Sequence, residues 1–363
     1  MHLSRLAFQN GLLAMKVFLS SCSGANSESP YCAELGRLAG LCTTEAITLV
    51  STPEEADIIL IVDIHETGLN VDLRRNTVWQ KWPEKSFAYY EGAEPSRFLH
   101  GLHSSARKSW SGGGRFQACA YPLFQMHYPN PCPSPADLDA VPKDLLFSFA
   151  GRASHRVREC LFSISFPGND VVIIDTSAYN HFYEGEMNRE EARTRFWNLT
   201  RRSKYGLCPR GAGASSIRLF EMMEAGVAPV VISDDWLPPH GPKWDDFALF
   251  VPECEVGSLY QFVKKHETEY VQRGRLARKA WEQFFAPEKY WSFILESVRW
   301  IQRYQKHSES IYLRLLPLAV VQEWIRRRRI HTVIRLKIAI KTVISGVVRG
   351  GKGERGNVKI RKR

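Results

Sequence analysis

The sequence predicts an α/β protein of two domains, each a Rossmann-like parallel sheet wound with helices, followed by a basic C-terminal helical tail. Three observations carry that expectation. Short apolar runs alternate with helical patterns through residues 16–233, the order in which βαβ units are laid down. A Pro-rich stretch at 129–142 interrupts the alternation and divides it into two halves. The 363 residues suffice for two cores, and 44% hydrophobic with 12% aromatic residues fits a folded chain. The expected divisions are therefore 1–142, 143–310 and a tail at 311–363.

Residues 16–20 read as the first strand, running into a loop over 21–29. A helix follows at 31–40, stopped by Gly40, and then a strand at 47–50. Thr52, Pro53, Glu54 and Glu55 make an acidic turn with the look of a helix start. It leads directly into 58–62, Ile-Ile-Leu-Ile-Val, a run without polar alternation, as in strands buried on both faces. Residues 86–90 repeat that logic and end at Glu91 and Gly92, while 112–114 and 129–142 are loop. The second half restarts with a strand at 145–150, a helix at 153–163 and a strand at 171–175. A helix over 189–202 and a strand over 205–208 lead to the most informative stretch of the chain. Ligands of such sheets bind beyond the carboxyl ends of the strands, so residues just after each strand carry the function.

That stretch begins Pro209, Arg210, Gly211, Ala212, Gly213 and enters a helix at Ser215 and Ser216. Two glycines let the backbone approach a ligand, and the hydroxyls can cap the helix. Exposed N–H groups and the helix dipole there favour an anion such as a pyrophosphate. Arg210 and Arg218 can add bidentate contacts to phosphate oxygens. Arg218 and Glu221 are three apart and share a helix face, where the carboxylate can accept from ribose hydroxyls. The plain alternative is an Arg–Glu pair on an ordinary helix. The pattern lacks the Gly-Lys-Ser/Thr of a P-loop, and Ser216 stands where a dinucleotide fingerprint would need its third glycine. Gly226 stops the helix, and a strand at 229–233 ends in Asp234, Asp235 and Trp236. These aspartates can reach sugar hydroxyls or form an ordinary turn; Trp236 and Trp244 are equally platform or core. Arg156, on the first turn after Gly151 and Arg152, is a further anion-site candidate.

Three blocks of the chain resemble the exostosin-like glycosyltransferases. They are residues 207–221 with 226–236, residues 149–152 (Phe-Ala-Gly-Arg), and residues 52–57 before an apolar strand. The resemblance spans about residues 45–300. It implies a GT-B fold, two domains facing across an active-site cleft, and inverting transfer from a UDP-sugar without a metal-binding DxD. It places Arg210, Ser215, Ser216, Arg218 and Glu221 on the family's sugar-donor motif, with Gly211 and Gly213 between them. Animal and plant members carry an N-terminal transmembrane anchor. None is legible here, because the apolar run in 1–14 is short and interrupted by Gln9, Asn10 and Gly11. The expectation is a cytoplasmic enzyme, peripheral on the inner membrane face.

Inversion calls for a base near the acceptor hydroxyl. Candidates at N-terminal strand ends are Asp63, His65 and Glu66 after 58–62, and Glu91 and Glu94 after 86–90; Glu91, directly after its strand, leads. Asp137 and Asp139 have the spacing of a DxD but lie in the Pro-rich linker, and His100, His103 and His127 are dispersed. No metal and no cofactor are expected. Eight cysteines show no CxxC pair, which fits reduced thiols; Cys119 and Cys132 are the pair to test for a bridge.

The net charge of +11 is confined to the tail. Residues 311–363 hold fifteen Lys and Arg against two Asp and Glu, leaving 34 basic and 36 acidic residues in 1–310. A basic nucleic-acid-binding body is thereby excluded. Ile330, Ile334, Leu336, Ile340 and Ile344 can share a helix face beside Arg326–Arg329, so residues 311–348 suit an anionic membrane surface. Packing back on the enzyme and nonspecific nucleic-acid binding are the alternatives. The expected reading is transfer of a hexosyl or glycuronosyl group to a polysaccharide or glycolipid. A non-catalytic adaptor on the same fold is the rival.

Overall fold

The computed structural model describes residues 15–22, 26–43, 46–64, 76–93, 99–110, 114–122, 141–178, 186–315 and 321. His65, Glu66, Glu94, His127, Cys132, Asp137, Asp139, residues 1–14 and the tail beyond 321 lie outside that set. Residues 1–310 form one compact unit and 311–363 a second.

The first sheet takes β1 (Met15–Ser21), β2 (Ile47–Leu49), β3 (Ile58–Val62), β4 (Ser86–Tyr90), β5 (Gly101–His103) and β6 (Phe116–Ala118). They are all parallel, in the order β2-β1-β3-β4-β5-β6. Every residue of β3 and β4 is buried, as a parallel sheet covered on both faces requires. The acidic turn at 52–57 does not open a helix; Asp57 accepts from the Lys16 N–H at 2.9 Å and the chain enters β3 at once. Helix α1 (Pro30–Leu41) starts at Ser29, whose hydroxyl accepts from Cys32 N–H at 3.0 Å, and covers one face with Leu35 and Leu38. Helix α2 (Thr77–Lys81) is capped in the same way by Asn76. β5 packs so close to β4 that a Cβ on Gly101 would stand 2.0 Å from the Ala88 carbonyl oxygen.

The second sheet begins at β7 (Leu145–Gly151), α3 (Arg156–Ser163), β8 (Val171–Asp175), α4 (Glu186–Arg202) and β9 (Ser203–Pro209). It continues through α5 (Ile217–Glu224), β10 (Ala228–Ile232), α6 (Trp244–Phe247) and β11 (Leu249–Phe250). Its strands are also parallel, in the order β11-β10-β9-β7-β8. Helices α7 (Leu259–Lys265), α8 (Tyr270–Phe284) and α9 (Pro287–Tyr304) follow. Among the described residues no helix is long and apolar enough to cross a membrane, and no disulfide is formed.

Two parallel sheets in one unit, with the last long helix returning to the first, make a GT-B fold. α9 follows the second sheet in sequence yet packs on α1, β5 and β6. Its face of Tyr290, Trp291, Ile294, Val298 and Ile301 is buried, and Trp291 Nε1 donates to the Leu35 carbonyl at 2.8 Å. Beyond it, Arg115 and Glu309 form a buried two-bond ion pair at 2.6 and 2.7 Å. A second tie joins the loops: Leu237 N–H donates to the Ala106 carbonyl at 3.0 Å, and Lys108 N–H to that of Asp235 at 2.9 Å. The carboxyl-end loops of the two sheets are thereby held against each other.

Candidate active site

The 210–216 turn lies beyond the carboxyl end of β9 and enters α5. Arg210 is buried, and its N–H donates to the Ile232 carbonyl at 3.0 Å, joining the turn to the end of β10. Its Nη1 stands 3.6 Å from Glu253 Oε1, while its Nε is buried without a hydrogen-bond partner. Ser215 and Ser216 are 5% and 6% exposed, and their hydroxyls also lack partners. Ser216 is the N-cap residue of α5, yet its side chain makes no capping bond. A buried polar group left unpaired costs roughly 1–3 kcal/mol, so such groups are rare in folded proteins. Three around one turn, at the positive end of a helix, suit a ligand rich in acceptor oxygens such as a diphosphate.

Arg218 and Glu221 meet one turn into α5. Arg218 Nη1 donates to Glu221 Oε2, its Nε donates to the Ala150 carbonyl at 3.1 Å, and its guanidinium lies 4.1 Å from the Phe196 ring centre. Glu221 is buried. The sequence singled out Arg156, but Arg156 is exposed, and Arg158 is the residue that supports the turn. Arg158 donates to the carbonyls of Arg210 at 2.9 Å, Pro209 at 3.0 Å and Arg152 at 3.3 Å. Burial first, and then the neighbouring Arg218, push its pKa down to about 10. Arg210 thus stands beside Glu253 and Arg218 beside Glu221, while Arg158, bonded to carbonyls, adds a third guanidinium. The excess charge is positive. Val157 and Leu161 mark the buried face of α3, but Arg156 and Arg158 flank Val157 on either side. The sequence pattern alone does not choose between them.

Loops of the first sheet close the turn from the other side. A Cβ on Gly213 would stand 2.3 Å from Ser105 Oγ and 2.5 Å from the Ala93 carbonyl oxygen, so this glycine is required by close approach. At Gly211 the nearest groups, Arg158 and the Ser154 hydroxyl, would be 3.3 Å away. Glu91 begins the loop that reaches Gly213. Its Oε1 accepts from the Tyr89 hydroxyl at 2.8 Å, which in turn lies 2.7 Å from the Tyr290 hydroxyl. Asp63 emerges at the same edge of the sheet, because β3 and β4 are paired. It holds a left-handed φ of 55° and accepts from Ser21 Oγ at 2.5 Å.

The aspartates after β10 divide. Asp234 is exposed, with its Oδ1 accepting from Glu253 N–H at 3.0 Å. Asp235 accepts from the N–H and hydroxyl of Ser109, both at 2.9 Å, and lies 3.6 Å from Arg107. It fastens the two halves. Trp236 is 2% exposed and meets Trp244 edge-on at 5.1 Å, so both are core. His100 and His103 are buried and bonded to carbonyls. A cleft of about 740 Å³ opens beside Asp234, lined by Lys108 from one half and Lys243, Asp246 and Phe250 from the other. Among the described residues no three His, Cys, Asp or Glu side chains gather as a metal ion would need.

The model of the exostosin GT47 domain matches residues 81–266, just over half the chain. This chain belongs to the exostosin GT47 family. "Exostosin-1" of Drosophila melanogaster is 25% identical over 183 residues, covering 45% of this chain and 24% of that protein. "Probable beta-1,4-xylosyltransferase IRX10" of Arabidopsis thaliana is 28% identical over 128 residues, covering 33% and 31%. The alignments therefore span about a quarter to a third of the length of these relatives. A crystal structure of an alpha1,3-fucosyltransferase with GDP superposes with a TM-score of 0.39 at 12% identity, over 85% of this chain and 95% of that one.

Proposed function

We propose that this chain is a glycosyltransferase that takes a UDP-linked hexosyl or glycuronosyl donor and transfers the sugar, with inversion and without a metal ion, to a polysaccharide or glycolipid. The observation that carries the reading is the set of unpaired buried donors, Arg210 Nε, Ser215 Oγ and Ser216 Oγ, at the start of α5. A diphosphate gives each of them an acceptor. Arg210, Arg218 and the helix dipole then offset the charge that grows on the departing UDP, which favours the transition state over the bound substrate. Glu221, paired with Arg218, faces the ribose hydroxyls, and exposed Asp234 the transferred sugar. Arg156, exposed on the first turn of α3, is a further candidate for the diphosphate. Glu91 is the proposed base, because its loop reaches the donor turn at Gly213; Asp63 and Glu66 are the other candidates. The relative named as a xylosyltransferase supports a glycan acceptor. The charge of residues 311–363 supports docking of residues 311–348 on an anionic, inner-face membrane surface, next to a lipid-linked acceptor.

Release of UDP from a panel of UDP-sugars, measured with and without EDTA, tests this. Turnover of one sugar, unchanged by EDTA and abolished in Glu221→Ala, is expected. Turnover restricted to added metal, or a fully active Glu221→Ala, contradicts it.

A further inference from the structure

Two loops of the first sheet press hydroxyl groups against the turn that Proposed function assigns to the diphosphate. Ser104 and Ser105 follow β5, Tyr121 follows β6, and all three are buried. The Tyr121 hydroxyl lies 2.8 Å from Ser105 Oγ, and its ring meets Phe220 of α5 edge-on at 5.9 Å. Ser105 is also the side chain that leaves Gly213 no room for a Cβ. Burial raises the pKa of the Tyr121 phenol, and the hydroxyls of Ser104, Ser105 and Ser215 act against it. Ser104 and Ser215 therefore lie beside the phenol, one from each half of the molecule. Neither meets hydrogen-bond geometry, and both hydroxyls are buried and unpaired.

We propose that Tyr121 is a positioning residue for the sugar donor's diphosphate, acting through Ser215; this rests on the diphosphate reading of the turn. A phenol can donate one hydrogen bond while it accepts others. With the Tyr121 O–H directed to the Ser215 oxygen, the Ser215 proton turns toward a phosphate oxygen. Ser105 fixes the phenol from the opposite side, and the Phe220 contact keeps the ring against α5. Sugar-donor binding then depends on both halves, although every residue of the motif comes from the second.

Tyr121→Phe keeps the ring and its Phe220 contact and removes only the hydroxyl. Calorimetric titration of the full chain with UDP, and with GDP beside it, compares wild type, Tyr121→Phe, Ser215→Ala and the double variant. Each single change is expected to weaken the tighter nucleotide by roughly tenfold, and the double by no more than the worse single, because the two hydroxyls act in series. Tyr121→Phe also takes from Ser105 Oγ its 2.8 Å partner, so the unliganded melting temperature falls by a few degrees, and the non-additive loss of affinity is the deciding readout. A purely structural phenol would lower that temperature as much and leave nucleotide affinity unchanged, or give additive losses. Wild-type affinity in Tyr121→Phe, or additive losses, overturns the proposal and leaves the diphosphate reading standing. Binding of neither nucleotide by the wild type removes both.

Discussion

Replacing Glu309 by Ala tests how the segment after α9 holds the first sheet. The Glu309 side chain is 0% exposed and that of Arg115 9%. Glu309 accepts from Arg115 Nε at 2.6 Å, Arg115 Nη2 at 2.7 Å and Gln305 Nε2 at 2.9 Å. Breaking one side of a buried pair costs about 3–5 kcal/mol, because the remaining charge stays in a low dielectric. The backbone N–H of Glu309 keeps its bond to Glu84 at 3.1 Å in the variant, so the segment is weakened and not released. The expected loss is therefore at the lower end, about 3 kcal/mol, or roughly 4–5 °C in melting temperature. Urea unfolding followed by circular dichroism measures it. Arg115→Met with Glu309→Leu, which replaces both charges by apolar groups of similar length, should recover most of the loss. A Glu309→Ala variant within about 0.5 kcal/mol of wild type refutes the reasoning.

Three further outcomes are expected. Gly213→Ala drives a methyl group into Ser105 and the Ala93 carbonyl; sugar-donor affinity measured by calorimetry should fall by at least roughly tenfold while the far-UV spectrum is unchanged. His103 is held neutral, its pKa pushed down to about 4 by burial. Its folded pKa lies below its unfolded value, so its contribution is present above pH ~6.5 and is lost as pH falls toward 4, by at most ~1.4 kcal/mol per unit. Unfolding free energy measured over that window should show a shallower slope in His103→Gln. Arg158→Lys keeps the charge but loses the fork that spans the Pro209 and Arg210 carbonyls. Its KM for the sugar donor should rise by about tenfold with kcat reduced less, as steady-state kinetics on the best UDP-sugar will report.

Much of this architecture is legible in the sequence, for physical reasons. The runs 58–62, 86–90 and 171–175 match β3, β4 and β8 residue for residue. β3 and β4 are buried throughout and need largely apolar runs, half-exposed β8 at its sheet's edge shows through β-branched Val and Ile, and turn residues bound each run. β5 and β6 carry no such signal: each has three residues, Gly-Leu-His and Phe-Gln-Ala, and forms by adding to an open edge, β5 to that of β4 and β6 to that of β5. The return of α9 to the first sheet is a tertiary choice that local pattern does not encode, although its apolar face is clear. At the candidate site, Gly-x-Gly-x-Ser-Ser-x-Arg-x-x-Glu marks the turn because its spacing is local. The groups that complete it are not local. Arg158 reaches it from α3, Ser105 and Tyr121 from the first sheet, and Asp235 looks like a sugar ligand until Ser109 and Arg107 meet it across the cleft.

The central claim is that the 210–221 segment holds a nucleotide sugar through its diphosphate. Thermal stabilisation of the purified protein by UDP, other nucleotides and a panel of nucleotide sugars, with Arg218→Ala in parallel, tests it most directly. A shift with UDP and one UDP-sugar, lost in Arg218→Ala, is the predicted result, since a ligand at a hundred times its Kd adds about 2.7 kcal/mol. No shift with any uridine nucleotide, or an equal shift in the variant, would contradict it.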